Sequence, residues 1–302
     1  MVRLENVSKY YADFLAVDGV TLEIREGETV ALIGSSGSGK TTILKCINAL
    51  ITRSSGEISV FDKPLDEWDP VELRRKMGYV IQDVGLFPHY TIEKNISLIP
   101  ELLGWEHSDI QTRVDILLER IHIPGSMKKR YPSALSGGQK QRVGLARALA
   151  ADPPIILMDE PFGALDPIIR ADMQREFLAL EGLQGKSIVL VTHDMNEAAI
   201  LADRICLLDK GVIQQTGTLK ELLFKPANEF VQRFLDPQRD SLEMRAVRIK
   251  DIMPFIPQEL RSRILITEAS VADVPSELIP EIRKYYFINR DSILVNFRTD
   301  EI

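Results

Sequence analysis

Gly34-Ser35-Ser36-Gly37-Ser38-Gly39-Lys40-Thr41-Thr42 is the stretch whose residue types and spacing most plainly could do chemistry. It follows the pattern G-x-x-x-x-G-K-[ST], in which glycines let the backbone curl so that successive N–H groups point inward at an anion. A helix starting there adds free N–H donors and the positive end of its dipole. In that setting Lys40 reaches the outer phosphates of a nucleoside triphosphate and the Thr41 hydroxyl holds Mg2+. Asp159 and Glu160 complement the loop, because they close the apolar run Ile155–Met158. A metal-bound triphosphate needs one carboxylate at a strand end for the metal and another group to position the attacking water. Asp159 suits the first task and Glu160 the second. Leu135-Ser136-Gly137-Gly138-Gln139 places small residues and a serine before a helical stretch, which makes a second anion-binding helix end. His193 follows the apolar run Ser187–Thr192, at the strand edge where open α/β sheets bind ligands.

These groups need elements that bring them together, and the hydrophobic patterning supplies them. Thr29-Val30-Ala31-Leu32-Ile33 reads as a strand entering the glycine loop, and Ile43, Leu44, Ile47 and Leu50 leave it at helical spacing. Residues 1–33 read as strands, with Val20, Leu22 and Ile24 alternating before a turn at Arg25–Glu28. Residues 71–76 read as a short helix and Gly78–Ile81 as a buried strand ending at Gln82. Asp83 to Tyr90 is a loop exposing Leu86 and Phe87, of the kind that caps a core or binds a partner. Ile92, Ile96, Ile99 and Leu103, then Ile110, Val114, Leu117, Leu118 and Ile121, make residues 91–130 a helical insert in an α/β core. Ile155–Met158 and Ser187–Thr192 are continuous apolar runs of the buried parallel type. A helix begins near Pro167, and a helix at 195–202 with strands at 204–208 and 212–215 closes the core. Helices at 218–224 and 228–235 follow. Asp236–Asp240 reads as a linker. Beyond it, 264–267, 285–288 and 293–295 read as strands of a small α+β appendage, the last two joined by a turn at Asn289–Ser292.

Composition narrows the class. At 302 residues with 45% apolar content the chain can hold one large domain or two smaller ones. A net charge of -7 argues against a general nucleic-acid binder, so no nucleic-acid partner is expected. The two cysteines, Cys46 and Cys206, lie far apart in apolar segments and read as buried thiols of a reducing compartment. No signal-peptide pattern opens the sequence and no run reaches the length of a spanning helix, so the expectation is a soluble chain or one held at a membrane by partners.

The set of motifs resembles the nucleotide-binding subunit of an ABC transporter across residues 1–235. The glycine loop is similar to Walker A, Gln82 to the Q-loop and Leu135–Gln139 to the LSGGQ signature. Asp159 and Glu160 match Walker B with its catalytic glutamate, Asp166 the D-loop and His193 the H-loop. Tyr11 matches the adenine-stacking aromatic by its spacing after Val7-Ser8-Lys9, with Tyr10 one residue early. The resemblance implies an α/β P-loop NTPase fold with a mixed sheet core, an antiparallel β subdomain and a helical subdomain at about 91–150, together filling 1–236. It implies ATP with Mg2+, the metal held by Thr41, Gln82 and Asp159. Two copies would close head to tail around two ATP molecules, with Ser136, Gly137 and Gly138 of one binding the γ-phosphate held by the other. Glu160 would polarise water, His193 contact the γ-phosphate, and Gln82 couple nucleotide state to transmembrane permease subunits at the cytoplasmic face of the membrane.

Gly85-Leu86-Phe87-Pro88-His89, Asn95-Ile96, Ile99-Pro100, Glu101-Leu102-Leu103 and Tyr131-Pro132-Ser133-Ala134-Leu135 further resemble importers of quaternary amines such as glycine betaine, choline and carnitine. Such systems work indirectly with a solute-binding protein, and other small zwitterionic or amino-acid-like solutes stay open. Fuller members carry two CBS domains. Val247-Arg248-Ile249-Lys250-Asp251-Ile252-Met253 resembles the start of one, but residues 241–302 are too few for a pair. A degenerate or single regulatory module and a plain dimerisation tail both stay open. Non-transport ABC ATPases fit less well: the insert is too short for their coiled coils, and each motif occurs once rather than twice. Intact Glu160 and His193 speak against a purely regulatory nucleotide binder.

Overall fold

Alternation of apolar residues builds the first sheet. In the computed structural model, which describes residues 1–82, 85–163, 165–261, 270–271 and 279–299, Val2, Leu4 and Val7 are buried along β1 (Val2–Tyr11). This strand pairs antiparallel with β2 (Phe14–Ile24), in a register that sets Tyr11 opposite Phe14. β3 (Thr29–Gly34) is buried on both faces and hands the chain to α1 (Lys40–Ile47). β4 (Ser55–Val60) and β5 (Lys63–Pro64) complete a four-stranded sheet in the order β2-β1-β4-β5. α2 (Pro70–Arg75) starts at Asp69, whose side chain accepts from the N–H groups of Val71 and Glu72. β6 (Met77–Val80) follows.

The helical insert forms, although Leu103 of its expected stripe only caps α3 and is exposed. α3 (Ile92–Leu102) is capped by Thr91, and α4 (His107–Arg120) turns the stripe Ile110, Val114, Leu117 and Leu118 inward. α5 (Gly137–Leu149) packs into the same apolar cluster, which also takes in Val80, Ile156 and Met158. β7 (Ile155–Asp159), α6 (Pro167–Ala179), β8 (Ser187–Thr192) and α7 (Met195–Leu201) come next. β3, β8, β7 and β6 are parallel neighbours in that order. The registers align Ile33 with Thr192 and Asp159 with Val191, so the C-terminal ends of β3, β8 and β7 lie level. Whatever follows these strands therefore shares one sheet edge.

β9 (Arg204–Asp209) and β10 (Val212–Gly217) precede α8 (Leu219–Phe224) and α9 (Glu229–Leu235). The chain divides into two compact units, Met1–Asp203 with Leu208–Ile213, and Arg204–Leu207 with Gln214–Ile302. Two expectations for the second unit are corrected. The expected linker is a 3-10 turn at Asp236–Gln238 running into α10 (Arg239–Ala246). Pro237 is compatible with a first helical turn, and Arg239 is anchored by Glu243 at 2.8 Å and the Leu223 carbonyl at 3.0 Å. After α11 (Ile249–Ile252) and α12 (Gln258–Arg261), the expected strands at 285–288 and 293–295, with the turn between them, lie inside one helix, α13 (Ile279–Thr299). Ile282, Tyr286 and Ile293 are buried while Phe287 and Ile288 are exposed, which is a helical stripe and not an alternation. The strand expected at 264–267 lies outside the described residues. Val247–Met253, the CBS-like stretch, contributes α11 and a β-bridge from Arg248 to Ser270. Cys46 and Cys206 are both buried free thiols, as expected, and burial pushes each up to about 11.

Candidate nucleotide-binding site

Two glycines, at the end of β3 and the start of α1, admit no side chain. Gly34 has φ +154, and a Cβ there would sit 2.2 Å from the Leu208 carbonyl oxygen. Gly39 has φ +98 at the N-terminus of α1, and its Cβ would sit 2.6 Å from the Ala16 carbonyl oxygen. The Lys40 side chain folds back over the loop. Its ammonium donates to the carbonyls of Gly34 at 2.9 Å and Ser35 at 2.8 Å, and to Ser38 Oγ at 3.3 Å. Burial lowers the Lys40 pKa, against the opposing pull of the Glu160 and Asp159 charges. A buried ammonium on carbonyl partners beside curled backbone N–H groups is a cradle for an anion.

Thr41 Oγ1 donates to Asp159 Oδ1 at 2.9 Å, joining the start of α1 to the end of β7. Asp159 is buried, and burial raises its pKa despite the Thr41 hydrogen bond. The next residue, Glu160, has φ +46, a conformation that costs a non-glycine residue on the order of 1 kcal/mol. Its N–H is held by the Val191 carbonyl at 2.9 Å. Its Oε2 accepts from Gln82 Nε2 at 3.2 Å and lies 3.3 Å from His193 Nδ1. One carboxylate oxygen thus gathers the residues that follow β6 and β8.

A cavity of about 450 Å³ opens above these groups. Ser36–Thr42 form its base, Gln82, Glu160 and His193 one side, and Tyr11, Phe14 and Ala16 the other. Tyr11 lines it and Tyr10 does not; the Lys9 ammonium lies 5.2 Å from the centre of the Tyr11 ring. Phe14 and Ala16 were not singled out from the sequence. The tight β1–β2 pairing that puts Phe14 across from Tyr11 is the signal that would have found them.

Leu135, Ser136, Gly137, Gly138, Gln139 and Asp166 do not line this cavity. Ser136 caps α5: its Oγ accepts from Gln139 N–H at 3.3 Å, while Gln139 Oε1 accepts from Ser136 N–H at 3.0 Å. Leu135 is buried beneath, and a Cβ on Gly137 would meet nothing. The signature is therefore a rigid helix start open to the outside. Asp166 is exposed, and its carbonyl accepts from Arg170 N–H at 2.9 Å.

The segment Phe87–Thr91 is held by the buried Asn95 side chain. Asn95 Oδ1 accepts from Phe87 N–H at 2.8 Å, and its Nδ2 donates to the Phe87, Tyr90 and Thr91 carbonyls. Arg147 donates to the Gly85 carbonyl at 2.6 Å with its guanidinium 5.9 Å from the Phe87 ring centre. A groove of about 320 Å³ runs between this loop, Tyr79, Leu98 and Ile99.

Behind His193, Glu197 on α7 is buried with its pKa pushed up to about 7 by burial. Hydrogen bonding to Thr192 and the Arg170 charge oppose that rise, while Asp194 and Glu160 add to it. The folded state holds this proton far above the 4.5 of an ordinary glutamate, so stability is lost as pH rises from about 4.5 through 7. Glu197→Gln keeps an acceptor for Thr192 and removes that loss. Urea denaturation is expected to find the variant more stable than wild type at pH 8 by up to about 3 kcal/mol, with little difference at pH 4.5. Parallel stabilities across that range would contradict the buried-proton account.

Comparison with known proteins gives this geometry a family. Residues 17–163 match the family described as "ABC transporter". The glycine betaine/carnitine/choline transport ATP-binding protein OpuCA of Bacillus subtilis is 54% identical over 240 residues, 79% of this chain and 63% of that protein. The chain thus spans less than two thirds of that relative's length. The choline transport ATP-binding protein OpuBA of the same organism is 49% identical over 272 residues, 89% of this chain and 71% of that protein. Among solved structures, the dimeric post-hydrolysis state of the ATP-binding cassette MJ0796 bound to ADP and phosphate superposes with a TM-score of 0.65 at 36% identity. It covers 72% of this chain and 98% of that one. With the phosphate-binding loop, the acidic strand end and these relatives in agreement, the chain belongs to the ABC transporter family of ATP-binding proteins.

Proposed function

We propose that this chain is the ATP-hydrolysing subunit of an importer for a quaternary amine or osmoprotectant such as glycine betaine, choline or carnitine. The observation that carries the reading is one cavity lined by Lys40, Thr41 and the Gln82–Glu160–His193 cluster, with Asp159 joined to it through the Thr41 hydroxyl. Tyr11 stacks on the adenine, residues Gly34–Thr42 wrap the phosphates and Lys40 turns from its carbonyl partners to the β- and γ-phosphates. Glu160 orients the attacking water, and His193 contacts the γ-phosphate.

The donor set fits Mg2+. Among the described residues no cluster of His, Cys, Asp and Glu forms a metal cage by itself. A hydroxyl, an amide and one buried carboxylate are the sparse oxygen set suited to an ion that keeps phosphate and water ligands. Thr41, Gln82 and Asp159 would hold it, and it would neutralise charge on the phosphates. Leu135–Gln139 of a second copy, with Asp166, would complete the site, which accounts for a well-formed helix end lying away from the cavity.

Among the described residues no helix is long and apolar enough to cross a membrane. Association with the cytoplasmic face would run through permease subunits seated in the groove beside Phe87, with a solute-binding protein acting indirectly. Residues 1–236 would form the ATPase and 241–302 an accessory region. The solute class rests on the named relatives. Labelled glycine betaine, choline and carnitine uptake, in cells lacking their own carriers and expressing the chain with its permease, tests it. Uptake of one of them that disappears with Glu160→Gln is expected; uptake only of unrelated solutes would overturn the solute class.

A further inference from the structure

We propose that Arg170 is a positioning residue for His193, tying the turn that carries the histidine to the loop that ends at Asp166. The proposal rests on the role given to His193 above. Both neighbours of His193 are pinned. Thr192 Oγ1 donates to Glu197 Oε2 at 3.1 Å and accepts from Asp194 N–H at 3.0 Å. Asp194 Oδ1 caps α7 by accepting from Asn196 N–H at 2.8 Å, which leaves Oδ2 facing Arg170 Nη1 at 3.6 Å. The imidazole is largely exposed, so beyond its contact with Glu160 the Thr192–Asp194 backbone sets where it points.

Arg170 reaches the other way as well. Its Nη2 donates to the Leu165 carbonyl at 3.0 Å, one residue before Asp166. The planar guanidinium is a rigid fork, so a shift of the Leu165 carbonyl is carried to Asp194 and from there to the histidine turn. The fork is not saturated. Arg170 Nε is buried without a hydrogen-bond partner, and so is Glu197 Oε1. Glu197 lies near enough to feel the Arg170 charge. A buried polar atom left without a partner is costly in a resting protein. The fork bridges the Leu165 carbonyl and the Asp194 carboxylate, with no third partner on its Nε among the described residues. The position of the Asp166 loop, which a second copy of the chain would contact, is thereby read out at the histidine.

The test is steady-state ATP turnover by the full chain carrying Arg170→Met, Arg170→Lys or Asp194→Asn, each alone and combined with His193→Ala. Arg170→Met is expected to lower kcat about tenfold while KM for MgATP stays within about twofold, the split of a group acting only on the reacting geometry. Arg170→Lys, which can satisfy one acceptor but not both, recovers part of the loss. Asp194→Asn reproduces it, and Arg170→Met with Asp194→Asn is no worse than either alone. In the His193→Ala background Arg170→Met adds less than about a further twofold loss. A normal His193→Ala defect alongside a silent or fully additive Arg170→Met overturns the proposal alone. Wild-type turnover in His193→Ala overturns the role given to the histidine, and this proposal with it. Should Arg170→Met fail to fold, Arg170→Lys and Asp194→Asn carry the same comparison.

Discussion

Glu160→Gln is expected to lower ATP hydrolysis by at least about 100-fold while ATP still binds, the range set by losing a positioned general base. The substitution keeps size and planarity. It leaves untouched the feature that aims the side chain, the φ of +46 pinned by the Val191 carbonyl. The amide cannot accept a proton from water, and one of its two termini becomes a donor. It can then no longer receive from Gln82 Nε2 and face His193 Nδ1 with equal freedom, as the carboxylate Oε2 does at 3.2 and 3.3 Å. The phosphate loop and the Thr41–Asp159 contact are unchanged, so binding persists. With hydrolysis blocked, a dimer of bound subunits should accumulate in MgATP. Rapid-quench single-turnover measurements beside equilibrium nucleotide binding make the check. Single-turnover hydrolysis at the wild-type rate would remove Glu160 from the catalytic role.

Glu243→Ala is expected to destabilise the second unit by about 3–5 kcal/mol, the cost of stripping one partner from a buried charge cluster. Glu243 is 0% exposed. Its Oε1 accepts from Arg239 Nε at 2.8 Å and Arg290 Nη2 at 2.9 Å. Its Oε2 accepts from Arg290 Nε at 2.8 Å and Tyr286 Oη at 2.6 Å. Burial alone would raise this carboxyl, but the hydrogen bonds from Arg290 and Tyr286 and the charges of Arg290 and Arg239 outweigh it and hold it below the usual range. Its stabilisation is therefore present above the ordinary glutamate pKa of 4.5 and lost as pH falls below it. Removing the carboxylate leaves the buried Tyr286 hydroxyl without its acceptor and strips Arg239 and Arg290 of their shared partner, which loosens α10 from α13. Urea unfolding followed by limited proteolysis should place the early cut sites in residues 239–299. Glu243→Gln, with one acceptor oxygen left, should fall between wild type and alanine. An alanine variant as resistant as wild type would show that the cluster does not hold these helices together.

Where local chemistry and periodicity agree, sequence reading and structure coincide. Gly34–Thr42 is legible because no other loop needs those glycines, that lysine and that threonine between a strand and a helix. The insert at 91–130 is legible because Ile110, Val114, Leu117 and Leu118 repeat at a spacing only a helix turns to one side. The stretch 285–295 misleads because Tyr, Phe, Ile and Val runs suit strands by composition. Only burial, which picks out Ile282, Tyr286 and Ile293, decides for the helix. At Asp236–Asp240 a proline and polar residues resemble a linker, yet the anchoring partners of Arg239 turn the stretch into a helix start.

The same division holds for the site. Its proposed chemistry comes from the sequence alone, because Lys40, Thr41, Asp159, Glu160 and His193 stand in motifs whose residue types and local context leave few other uses. Its geometry was decided by long-range pairing. Parallel registers bring Ile33, Asp159 and Thr192 level, a hairpin sets Phe14 beside Tyr11, and Arg170 meets Asp194 only because α6 and α7 pack together. Local motifs are written in neighbouring residues. Hydrogen-bond partners from distant segments are chosen when the sheet closes its registers and the helices bury their stripes against it.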